Sequence, residues 1–121
     1  MNLALRHAYD TELRAARAAR LTGNVGAAFH HLERAHILSQ RHTLQHVHVH
    51  WLMLRLAAST GGWREVIGQA MRVVAAAVFS RIWAPIGNTG RADVSAIKPM
   101  PIPDDLRAVL VHGQSGGASW R

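Results

Sequence analysis

The chain has no cysteine. That excludes disulfides, thiolate metal sites, iron–sulfur clusters and cysteine nucleophiles. Lysine is nearly absent too, since only Lys98 among the 14 basic residues is lysine. Acid is scarce: 7 Asp and Glu face 14 Lys and Arg, for a formal charge of +7. Before the C-terminal tail the only serines are Ser39, Ser59, Ser80 and Ser95, and no Ser-His-Asp arrangement can be argued from them. Long apolar runs are missing. The longest, Val73–Phe79, falls far short of the ~20 residues a membrane span requires. The opening residues MNLALRHAYDTELR meet charge early and hold no apolar stretch like a secretory leader. A soluble cytoplasmic protein without membrane association is therefore the expectation. No proline precedes Pro85, so nothing of that kind interrupts helices in the first two thirds of the chain.

What is present builds helices. The 121 residues are 49% hydrophobic, enough for one domain with a real core. Residues 2–20 are rich in Ala, Leu and Arg, the strongest helix formers. Thr22-Gly23-Asn24 reads as a stop and restart, with Gly23 suited to a left-handed terminus and Asn24 to an N-cap. A second helix follows over 25–38, then a weak break at Ser39-Gln40 and a third helix over 42–58. Thr60-Gly61-Gly62 marks a turn, and a fourth helix is expected over 63–83, through Trp63, Val66, Ile67, Ala70, Met71, Val74 and Val78. From Pro85 the character changes. Pro99–Pro103 must be extended, and a short helix is expected over 105–111. The expected organisation is one helical domain over 1–111 and a flexible tail over 112–121.

Four helices on short connections predict an all-α fold. It is either a four-helix antiparallel bundle or two stacked tetratricopeptide-like hairpins, with an extended Pro-rich C-terminal strap. Gly23, Ala28, Leu32 and Ala35 have the small-residue spacing of a tetratricopeptide repeat. Gly62, Ile67, Met71 and Val74 echo it at an offset of 39 residues rather than the usual ~34.

The strongest chemical feature is histidine. Seven of the 9 lie between His30 and His50, and neutral imidazole is the commonest metal ligand. On the third helix His42, His46 and His50 recur every fourth residue, a spacing that lets neighbours grip one ion. Met53 shares that stripe. On the second helix Glu33 and His36 form a Glu-x-x-His pair, the element that carboxylate-bridged di-metal bundles use twice. Here it occurs once. A short corner makes the two helices neighbours, so Glu33, His36, His46 and His50 are the expected ligands. Glu12, His30 and His42 are reserves. Such a set suits zinc, nickel, cobalt, copper or iron. Binding is expected to weaken as pH falls through ~6.5. The same histidines can instead be ordinary polar or core residues, and His7, His31, His48 and His112 read as surface.

Two other functions fit the composition. A tetratricopeptide-like interaction module would offer an Arg-rich groove to an acidic protein partner, or would pair as a homodimer. A basic surface can also hold nucleic acid through phosphate contacts, although no run of three basic residues occurs. Gly87-Asn88-Thr89-Gly90 lacks the lysine and following helix of a phosphate-binding loop and reads as a turn. No catalytic set emerges, which leans against an enzyme.

Five segments together resemble the bacterial domain of unknown function 3703: Tyr9–Leu13, Leu32–Leu38, His46–Trp51, Gly87–Gly90 and Pro99–Pro103. The resemblance implies a small all-helical protein, often found beside heavy-metal-resistance and metal-efflux functions, with no established catalytic residues. Ser39 and Arg91 stand where that pattern favours glycine. The expectation is a small helical protein that binds a transition metal and assists metal resistance or homeostasis.

Overall fold

The computed structural model describes residues 1–79 and 99–115, and over these residues the chain is all-helical. Five helices follow in order: α1 (Leu3–Leu21), α2 (Val25–Ser39), α3 (Thr43–Thr60), α4 (Trp63–Phe79) and α5 (Asp104–Ser115). The end of the expected fourth helix, Pro85, the Gly87–Gly90 turn and residues 116–121 lie outside the described residues.

Local chemistry sets the boundaries. Asn2 caps α1 by accepting the Leu5 N–H at 2.8 Å, and Asn24 caps α2 by accepting the Ala27 N–H at 3.0 Å. Gly23 and Gly61 have φ of 77° and 73°, left-handed values that side-chain-bearing residues avoid. The α2–α3 corner has no such device. Gln40 keeps helical angles, and the chain turns over Arg41 before His42 becomes extended. That tight corner delivers the end of α2 beside the start of α3.

The helices pack as two hairpins, α1 on α2 and α3 on α4, joined where α2 meets α3. The main core lies between them and holds Tyr9, Phe29, Leu32, Ala35, Val49, Met53 and Leu56. Met53 is fully buried there as an apolar side chain. A second cluster of Leu5, Ile37, Leu38 and Leu106 seats α5 against α1 and α2. Residues 99–103 have no regular secondary structure, and Ile102 packs on that second cluster. The last helix runs four residues past the expected end at Val111.

Helix α4 packs with an unexpected face. Among its described side chains Gln69 is fully buried, while Trp63, Ile67, Met71 and Val74 are exposed. Periodicity identified the apolar stripe correctly, but α3 takes the neighbouring face that carries Val66 and Gln69.

Candidate metal centre

His36 stands near the end of α2, and His46 and His50 stand one turn apart on α3. The tight corner between the helices lets these residues meet. All three are buried, at 3%, 7% and 3% exposure. Nε2 of His36 lies 2.8 Å from Nε2 of His46 and 3.2 Å from Nε2 of His50. The last two atoms are also 3.2 Å apart. Three ring nitrogens thus form one small triangle, with ring centroids 4.6 to 4.9 Å apart.

Such a triangle has a physical problem. Each nitrogen either carries a hydrogen or presents a lone pair. With two states and three atoms, at least two must match. One edge therefore sets N–H against N–H or lone pair against lone pair at hydrogen-bond distance. No choice of tautomers removes that repulsion. A cation receiving all three lone pairs does.

The protonation states favour lone pairs. Burial pushes the His46 imidazole down to about 4, helped by the neighbouring His50. Burial likewise pushes His50 down to about 4; its bond to Gln69 opposes the shift, and Arg72 adds to it. Both rings are neutral near pH 7. His50 also has its tautomer fixed. Its Nδ1 lies 2.7 Å from Gln69 Oε1, and the Gln69 amide nitrogen donates to Glu65 Oε1 at 2.7 Å. An ionised Glu65 only accepts, so the amide must turn its NH₂ toward Glu65 and its oxygen toward His50. The His50 Nδ1 therefore carries the hydrogen, and Nε2 faces the triangle with a lone pair. His46 Nδ1 is buried with no hydrogen-bond partner.

Sequence reasoning missed Gln69 as a support of this cluster. A signal was there. Gln69 is an amide among the apolar residues of α4, with a carboxylate four residues earlier, the spacing at which helix side chains meet.

The other expected ligands stand apart from the triangle. Among the described residues the convergent group is His36, His46 and His50. Glu33 is half-buried on α2, one turn before His36. Glu12 accepts from Arg34 Nε at 2.8 Å and lies 2.8 Å from His31 Nδ1. Arg34 also bonds Asp105, so these residues tie α1, α2 and α5 together. His30 is exposed, with its ring 5.7 Å from that of His31. His42 is the half-buried N-cap residue of α3 and makes no side-chain cap bond; burial lowers its imidazole, and the chain's amino terminus lowers it further. His31, read as surface, is instead half-buried against Glu12. His48, also read as surface, is exposed but lies 3.2 Å from the Tyr9 hydroxyl.

Three buried imidazoles this close together can hold a metal ion. No described helix is long and apolar enough to cross a membrane. No curated protein and no solved structure matches the chain significantly. The family model described as "Protein of unknown function (DUF3703)" matches residues 3–110. That match takes in α1 to α4, the histidine triangle with its Gln69 support, and the first half of α5, so the chain belongs to the DUF3703 family.

Proposed function

We propose that the protein binds one transition-metal ion through Nε2 of His36, His46 and His50. The observation that carries this is the triangle of nitrogens, which has no satisfactory proton arrangement and suits a shared cation. With metal–nitrogen bonds of about 2 Å, an ion equidistant from the three stands roughly 1 Å off their plane. That is the pyramidal base of a tetrahedral site. Ideal tetrahedral bonds would place the nitrogens about 3.3 Å apart, so binding spreads the closest pair, His36 and His46, by a fraction of an ångström. Gln69 and Glu65 supply the outer hydrogen bonds that orient a metal-binding histidine and raise its basicity.

All-imidazole ligation suits zinc, nickel, cobalt, copper or ferrous iron over calcium and magnesium. The role that fits a closed, buried site is sequestration, sensing or accessory handling of metal rather than turnover. A contribution to metal resistance, as the family resemblance implies, belongs to the same proposal. Because burial holds His46 and His50 neutral, protons compete with the metal at lower pH than the unperturbed value near 6.5 suggests.

Calorimetric titration of tag-free protein with Zn²⁺, Ni²⁺ or Cu²⁺ at neutral pH tests this. The expected result is one site per chain that disappears in a His36→Ala/His50→Ala variant whose helicity is intact. Binding unchanged in that variant, or no wild-type binding tighter than about 100 μM, contradicts the assignment.

A further inference from the structure

A second site lies on another face, away from the histidine triangle. Helices α1 and α3 form the walls of a valley whose floor includes α2 residues. Its main cavity, of about 410 Å³, is floored by Leu13, Leu32, Leu52 and Leu56, and Arg17, Arg20 and Arg55 stand around it. Among the described residues no acid lines it. The three arginines are exposed, and none has a carboxylate partner among the described residues. The acid nearest to hand on α1, Glu12, is already held by Arg34 and His31. The valley continues into a second cavity of about 310 Å³ that shares Leu13 and His48 with the first and is lined further by Arg6, Tyr9 and Asp10, so the unopposed positive charge belongs to the main cavity. From Arg6 to Arg20 along α1 is roughly 20 Å at the helical rise. That length accommodates about six extended residues.

We propose that this valley docks a peptide segment of another protein in which acidic residues flank leucine-like ones. Unpaired guanidiniums on opposite walls recognise carboxylates, with bidentate geometry available to each. The leucine floor takes the apolar side chains between them. A second copy of this chain is a poor occupant, because its own charge is +7 with only 7 acidic residues. Nucleic acid fits less well than peptide, since the larger of the two cavities has an aliphatic floor and, among the described residues, no Phe, Tyr or Trp lines it for base stacking.

The test uses the full chain in chelator, so that metal plays no part, and selects binders from a display library of random decapeptides. The expected outcome is enrichment of Asp and Glu around Leu or Phe, with a selected peptide binding about tenfold or more weakly to Arg17→Glu/Arg55→Glu and progressively more weakly with salt. Arg17→Gln/Arg55→Gln, which removes charge without reversing it, gives an intermediate loss. His36→Ala/His50→Ala retains peptide binding, which separates this site from the metal centre. No enrichment, or the same peptides bound equally by the charge-reversed chain, overturns the proposal. So does saturable binding of decyl phosphate without any peptide selection, which would assign the valley to a lipid-like anion instead. A charge-driven shift of duplex DNA that Arg17→Glu/Arg55→Glu abolishes, again without peptide selection, would assign it to nucleic acid.

Discussion

A neutral histidine donates from one ring nitrogen and accepts at the other, so the contact on one side of the ring fixes the chemistry on the other. His50 shows this directly: Glu65 orients the Gln69 amide, and the amide leaves the His50 Nε2 lone pair facing inward. Replacing Gln69 by Leu keeps the volume but strands a buried N–H. The expected cost is about 1–3 kcal/mol of stability, read by urea unfolding, together with a 10–100-fold loss of metal affinity, read by calorimetry. Protonation acts on the same residues. Folded-state values near 4 for His46 and His50 lie below the unfolded value near 6.5, so the unfolded chain takes up protons first as pH drops. Stability of the metal-free protein should be flat above about pH 7 and fall by a few kcal/mol between about pH 6.5 and 4. Thermal melts across that range check the sign; a melting temperature that rises on acidification would refute it.

At the scale of helices, periodicity states which residues share a face but not which face turns to a neighbour. The His42, His46, His50 stripe was legible for this reason, and so was the closeness of α2 and α3 across a short corner. What spacing alone leaves open is the choice among candidates. His42 has the same four-residue relation to His46 as His50 does, yet it sits at the helix start as the cap residue. Glu12 could have been a ligand by type, but the packing of α1 on α2 places it against Arg34. Spacing along α4 carries no mark of Gln69 as a support of the site, because its partner, His50, lies on another helix. Boundaries with a local chemical cause were legible, as at Gly23 and Asn24. Two substitutions check them. Asn24→Ala should cost about 1 kcal/mol through the lost cap, and Gly61→Ala about 1 kcal/mol or more through left-handed strain, although nothing lies within 4 Å of the added methyl. Arg34→Ala should free α5 from α1 and α2. Hydrogen exchange in α5 would rise well above that in α3, whereas equal protection of both helices would show that the Leu106 packing alone holds it.

For the molecule as a whole, the all-helical hairpin architecture followed from composition and breaks, because each hairpin is a local structure built by short turns. The histidine triangle is not local in that sense. It exists only where α2, α3 and α4 pack together, and the Ala35, Val49 and Met53 core beside it sets that packing. Ligand binding to such a site stabilises the folded state alone. Zinc at a hundredfold excess over its dissociation constant should therefore add about 2.7 kcal/mol, seen as a raised melting temperature that chelator reverses and His36→Ala/His50→Ala abolishes. The basic charge should oppose self-association at low salt, and sedimentation of the metal-free chain would show it.

X-ray absorption at the metal edge of the loaded protein reads the coordination itself. Three imidazole nitrogens at about 2.0–2.1 Å, with the ring-scattering pattern lost in His36→Ala/His50→Ala, are the predicted result. A spectrum dominated by carboxylate or water oxygens, with no imidazole contribution, would contradict the shared-ion account of His36, His46 and His50.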